Sequence, residues 1–94
     1  MDAYQQAARR TINAGLGDDQ RLLDAAAGLS EEAGEVLSHV RKHVMQGRTL
    51  DRDAVALELG DALWCLAIAA DTLGISLQDV ARRNIEKLRA RYPD

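Results

Sequence analysis

Ala62-Leu63-Trp64-Cys65-Leu66-Ala67-Ile68-Ala69-Ala70 is the longest uninterrupted apolar run in the chain. It forms the second half of a segment, about residues 53–73, whose pattern reads as a helix that is apolar nearly all round. A helix of that kind is buried on most sides. The run is far short of the ~20 residues that cross a bilayer, so its cover has to be protein and no membrane is implied. A chain of 94 residues has only three other helices to offer, too few to surround it. A second copy would supply the missing cover, which predicts a homodimer, with a dimer of dimers as the larger alternative.

The flanking sequence divides into the other helices. Tyr4, Ala7, Ala8, Thr11 and Ile12 recur at helical spacing and predict a first helix over 2–14, with Asp2 as its cap. Gly15-Leu16-Gly17-Asp18-Asp19 breaks the pattern, and either aspartate suits a cap for the next helix. From about Gln20 to Gln46, Leu22, Leu23, Ala26, Leu29, Ala33, Val36, Leu37, Val40 and Val44 form a 3.6-residue stripe. Gly28 interrupts it, and Ser30 ahead of Glu31-Glu32-Ala33 suits a cap after a break, so this is one helix or two. Gly47 is placed to end it, with Arg41, Lys42 and His43 near its negative end. Thr49 to Arg52 is a polar connection, with Asp51 or Asp53 capping the apolar helix, and Gly74 ends that helix. Ser76 caps a last helix, about 76–91, with Leu77, Val80, Ala81, Ile85 and Leu88 expected inward and Arg82, Arg83, Lys87, Arg89 and Arg91 making it basic. The reading is all-α: one domain over 1–94, a four-helix up-and-down chain whose bundle is completed by dimerisation.

Composition removes several functional classes. A formal charge of −3 argues against a general nucleic-acid binder. The single cysteine, Cys65, leaves no intramolecular disulfide and fits a reducing compartment. No basic-then-apolar leader precedes the first helix. A soluble cytoplasmic protein is expected.

Five of the fifteen acidic residues sit in two short segments with apolar neighbours: Glu31, Glu32 and Glu35, then Glu58 and Asp61. Residues three apart on a helix project to one side, so Glu32 with Glu35, and Glu58 with Asp61, form two pairs. If the two helices pack antiparallel, as their short connection favours, four carboxylates converge. Ionised carboxylates on apolar faces are costly unless a positive partner meets them. Four oxygen donors suit Mg²⁺ or Mn²⁺. Glu31 points about 100° away, as an outer base or a ligand of another ion. Such pairs also occur on solvated helix faces. Here the company of core residues, and of Gly34 and Gly60 leaving room for close approach, favours the metal.

Two other metal readings are weaker. Glu35, His39 and His43 recur every four residues, which a Zn²⁺ site could use, although a solvated face explains them as well. A di-iron bundle would want Glu-x-x-His, and Ser38 and Asp61 stand where that histidine would be. On the last helix Asn84, Lys87 and Arg91 share a face, which is either a solvated basic stripe or a polyphosphate clamp. Beside a metal site the clamp gains weight, because metal plus cations is the usual equipment of phosphoryl chemistry.

These residues together resemble the MazG-like all-α nucleoside triphosphate pyrophosphatases. That family's Glu-Glu-x-x-Glu and Glu-x-x-Asp correspond to Glu31-Glu32-Ala33-Gly34-Glu35 and Glu58-Leu59-Gly60-Asp61. Tyr4-Gln5, Arg10-Thr11, Gly28-Leu29, Ala62-Leu63-Trp64 and Asn84-Ile85-Glu86-Lys87-Leu88 through Arg91-Tyr92-Pro93 extend the match. The resemblance implies hydrolysis of a nucleoside triphosphate to the monophosphate and pyrophosphate, by in-line attack of metal-activated water on the α-phosphorus. It implies Glu32, Glu35, Glu58 and Asp61 as Mg²⁺ ligands, Glu31 assisting the cluster or the water, and Lys87, Arg91, Asn84 and Lys42 holding phosphates. Trp64 would stack on a base or serve core or interface. Cys65 stands where relatives often carry Tyr, so an aromatic role does not transfer there. Alternatives are a relative acting on dUTP, dUDP or phosphoribosyl-ATP, and a non-catalytic helical module that binds metal or protein.

Overall fold

The computed structural model describes residues 2–94, with four helices and no strand among the described residues. They are α1 (Asp2–Arg9), α2 (Asp18–Gln46), α3 (Arg52–Thr72) and α4 (Leu77–Arg91). The all-α, up-and-down order agrees with the sequence reading. The boundaries depart from it at particular places.

Helix α1 stops at Arg9, short of the expected residue 14. The chain tightens into three-residue turns, Arg10 N–H to Ala7 O and Thr11 N–H to Ala8 O. The Thr11 hydroxyl then donates to the Ala8 carbonyl at 2.7 Å, and Asn13 Oδ1 accepts from Gly15 N–H at 3.0 Å. Short polar side chains that satisfy nearby backbone in this way compete with helix continuation. The side chain of Asp2, the expected cap, lies outside the described residues.

Helix α2 runs unbroken through Gly28, and Ser30 is interior to it. Gly17 occupies the N-cap position, where Gln20 Oε1 accepts its N–H at 3.1 Å. Asp18 and Asp19 lie in the first turn instead, favourably placed for the positive helix end. Gly47 takes the left-handed conformation, φ 67°, and ends the helix as expected. His43 Nδ1–H donates to the Arg48 carbonyl at 2.6 Å across this turn. Asp51, not Asp53, caps α3 by accepting Ala54 N–H at 3.0 Å. At the far end Gly74, φ 72°, lets Gly74 N–H reach Asp71 O and Ile75 N–H reach Ala70 O. Ser76 accepts Asp79 N–H and starts α4.

The core is small: Ala8, Ala25, Ala67, Ile68 and Leu77, with Tyr4, Ile12, Leu63, Trp64 and Ala69 around it. Gln5 is the polar pin within it. Its amide donates to the Ala67 and Ile75 carbonyls and its Oε1 accepts Leu77 N–H, joining α1 to the α3–α4 corner. Arg9 pairs with Asp71 just outside. Helix α2 packs on α3 alone, and α4 packs on α3 and α1 without touching α2. The molecule is therefore a flat slab, 45 × 43 × 22 Å. Its radius of gyration, 15.8 Å, exceeds the ~12 Å of a compact chain this long. The inward stripe expected on α4 is mostly uncovered: Leu77 is buried, but Val80, Ala81, Ile85 and Leu88 are exposed, because no element of the chain lies over them.

Gly28 has a different role from the one its backbone propensity suggests. A Cβ there would lie 2.8 Å from Cys65 Sγ, so the glycine admits α3 against α2. Beside the acids, Gly34 and Gly60 face open space within the chain, not a close neighbour. Gly28→Ala should destabilise the protein by about 1–3 kcal/mol through overpacking, despite the ~1 kcal/mol that alanine gains in helix propensity. The same change in a Cys65→Ala background should be neutral or stabilising. A double-mutant cycle of denaturant midpoints measures this coupling.

Candidate metal centre

Helix α2 brings Glu32, and helix α3 brings Glu58 and Asp61, to their shared face. One carboxylate oxygen from each of Glu32, Glu58 and Asp61 lies within 4.8 Å of the other two. Glu32 and Glu58 are half-buried and Asp61 is exposed. Glu32 Oε2 is sealed from solvent and has no protein hydrogen-bond partner. This oxygen is the least satisfied acceptor of the centre, and an unsatisfied buried acceptor carries its full desolvation cost.

The electrostatics follow from that crowding. The Glu32 carboxyl is pushed up to about 7, first by a hydrogen bond with the Glu58 carboxylate. Burial adds to it, as does repulsion from Glu58, Asp61 and Glu35. Two carboxylates hydrogen-bond each other only through a shared proton, so below about pH 7 the pair holds one proton between them, and a cation binding there would displace it. The three side chains offer only hard oxygen donors, a set suited to Mg²⁺ or Mn²⁺. Glu35, one turn along α2, is exposed and stays outside the group of three while adding to its field.

A pocket of about 280 Å³ opens next to the cluster, lined by Glu31, Glu32, Asp61, Trp64, Ala27, Gly28, Cys65 and Asp24. Glu31 and Glu32 both line this pocket, and Glu35 does not. The Trp64 indole N–H donates to Thr11 Oγ1 at 2.7 Å. Cys65 forms part of the wall, and burial first, then Glu32 and Asp24, push its thiol up. It is therefore a neutral thiol here, not a soft thiolate ligand. Asp24 was not anticipated from sequence. Its seven-residue separation from Glu31, two helical turns, is the signal that places both on one side.

The expected phosphate-holding residues are not gathered around the acids in one chain. Lys42 lines a separate groove on α2 with Gly34, Leu37, Ser38, Arg41 and Gln46. Asn84, Lys87 and Arg91 are exposed on α4, which has no contact with α2. Arg82 and Arg83 are engaged by Asp79 and Glu86 within α4, whereas Lys87 and Arg91 form no ion pair among the described residues. No helix among the described residues is long and apolar enough to cross a membrane.

Comparison with known proteins agrees with this geometry. The MazG nucleotide pyrophosphohydrolase domain model matches residues 20–94, which takes in α2, α3 and α4. Gene 37 protein of Mycobacterium phage L5 is 36% identical over 99 residues, covering 97% of this chain and 87% of that protein. Uncharacterized protein YvdC of Bacillus subtilis (strain 168) is 34% identical over 73 residues, 68% of this chain and 69% of that protein. No solved structure matches the chain.

The raised Glu32 carboxyl has a consequence for stability. Between the ordinary value of 4.5 and about 7, the folded chain holds a proton that the unfolded chain has lost. Stability without a divalent cation should therefore fall as pH rises through 7. The lowered Asp79 carboxyl acts only in acid, outside this window. Thermal unfolding in chelator should show a lower Tm at pH 8 than at pH 5.5. Glu32→Gln should flatten the dependence and raise the Tm at pH 8, and Mg²⁺ should restore the wild type there.

Proposed function

The chain belongs to the MazG nucleotide pyrophosphohydrolase family, and on that premise we propose that it hydrolyses a nucleoside triphosphate, ribo or deoxy, to the monophosphate and pyrophosphate with Mg²⁺. Mn²⁺ would serve in its place. The observation that carries this reading is the convergence of Glu32, Glu58 and Asp61 from two helices, with the buried Glu32 oxygen lacking a partner. Those three would hold the ion, with Glu35 as the fourth carboxylate. A divalent ion bound there supplies charge neutralisation to the phosphates and acidity to a water.

The chain's own residues would do the rest. Glu31, on the pocket wall, accepts a proton from the attacking water. Glu32 and Glu35 share in orienting that water toward the α-phosphorus. Trp64 offers the pocket its indole for a nucleobase. Lys87, Arg91 and Asn84, with Lys42, hold the phosphates.

A second copy fits this scheme. Leu59 and Leu66 on α3 and Leu73 at its C-cap recur every seven residues and are 55, 43 and 59% exposed. Leu37 and Val44 are similarly spaced and exposed on α2. Sustained seven-residue spacing of apolar groups is the seam of helix pairing between chains. With the cations of α4 away from α2 in one chain, a homodimer, or a dimer of dimers, would complete the site.

A panel of ribo- and deoxyribonucleotides with Mg²⁺ should yield monophosphate and pyrophosphate, and in H₂¹⁸O the label should enter the monophosphate. Glu32→Gln and Asp61→Asn should each lower kcat/KM by at least about 100-fold, ~2.7 kcal/mol of transition-state stabilisation. Release of orthophosphate, or unchanged turnover in both variants, would contradict the reading.

A further inference from the structure

Trp64 is the only tryptophan of the chain and one of three aromatic residues. The other two lie elsewhere: Tyr4 packs on the core, and Tyr92 sits beside Ile85 and Leu88 at the end of α4. The pocket beside the acidic cluster therefore has one aromatic surface. A flat ligand in that pocket has no second aromatic to hold it, so the attitude of the single indole decides how the ligand lies.

That attitude is fixed from outside α3. The indole N–H has one option as a donor, and it donates to Thr11 Oγ1 at 2.7 Å, from a residue 53 positions away in sequence. The Thr11 hydroxyl has one proton, which goes to the Ala8 carbonyl at 2.7 Å. Its remaining lone pairs face Trp64 as acceptors only. Within the protein the relay from Trp64 through Thr11 to Ala8 thus has a single direction. It ties the pocket wall to the end of α1, where the chain leaves helical geometry so that Thr11 can make both bonds. Without the acceptor, the indole loses the one protein hydrogen bond that distinguishes its two edges.

We propose that Thr11 is a positioning residue for nucleotide binding, holding the Trp64 ring so that it presents one fixed surface to the base. The proposal rests on the nucleotide reading of the pocket. The side-chain hydrogen bonds of Thr11 go to Ala8 and Trp64 and to no residue of the acidic cluster, so its influence passes through the base and leaves the chemistry of the phosphates alone.

The test combines kinetics with the fluorescence of the single tryptophan. Thr11→Val removes the hydroxyl at nearly constant volume, Thr11→Ala repeats the loss in a smaller side chain, and Thr11→Ser restores it. The substrates are the Mg²⁺ complexes of dATP, dCTP, dGTP and dTTP. Inorganic tripolyphosphate serves as a base-free competitor. Both hydroxyl-free variants should raise KM for the preferred nucleotide roughly tenfold, with kcat within about twofold. The inhibition constant of tripolyphosphate should not change. Acrylamide should quench Trp64 more steeply in the free variants than in the wild type, and Thr11→Ser should match the wild type in every readout. Wild-type KM and quenching in Thr11→Val and Thr11→Ala would overturn the proposal. So would a parallel rise in KM and in the tripolyphosphate constant, which marks general damage. A wild-type chain that neither binds nor hydrolyses these four nucleotides or their ribonucleotide counterparts removes the parent reading as well, and is recognised because the failure precedes any substitution.

Discussion

The close approach of α2 and α3 at Gly28 and Cys65 is the contact on which the rest of the molecule depends. The antiparallel register that sets Gly28 against Cys65 also sets Ala25 beside Ile68 one turn away, in the core. One turn the other way it sets Glu32 beside Asp61, with Glu58 completing the group. A close helix approach and a set of mutually repelling carboxylates are thus two stretches of one helix contact. A wider contact would solvate the acids and dissolve the core together. The small residues of α2 along this line, Ala25 and Gly28, keep the helices near enough for three carboxylates to meet.

That arrangement sacrifices stability for chemistry. Carboxylates gathered within 4.8 Å, one of them with a sealed oxygen, would disperse if the surrounding packing allowed it. They are held by apolar contacts that lie a turn away, by Gln5 and Arg9 fastening α1 to α3, and by Asp51 capping the helix that carries two of them. The core that does this is thin, and much of the apolar surface of α2, α3 and α4 remains uncovered. The same flatness that exposes Leu59, Leu66 and Leu73 leaves the acidic pocket open on one side, so ligand access and unsatisfied apolar surface have a common origin in the slab shape.

Much of this was legible in the residues. Gly47, Gly74 and Ser76 end and start helices where their backbone preferences place them. The three-residue spacing of Glu58 and Asp61, and the position of Glu32 on the facing helix, follow from helix geometry alone. Other features depend on what packs where. Gly28 reads as a breaker locally, and only Cys65 explains why the helix continues through it. Thr11 reads as one more helical residue, yet it is occupied by Ala8 and Trp64. Gln5 stands outside the apolar spacing of the first helix and is a buried clamp. On α4 the apolar spacing is right for burial, but spacing does not say which chain provides the cover. Asp24 joins the pocket through position, with no motif of its own.

The central claim is that Glu32, Glu58 and Asp61 form a cation site held ready by the α2–α3 contact. Its most direct test is calorimetric titration of Mg²⁺ at pH 7 in buffers of different ionisation enthalpy. With the Glu32 carboxyl near 7, binding should release roughly half a proton per ion at that pH and almost none at pH 9. Glu32→Gln should abolish the release and weaken binding. Mg²⁺ binding with no proton release at pH 7, or with full affinity in Glu32→Gln, would contradict the account.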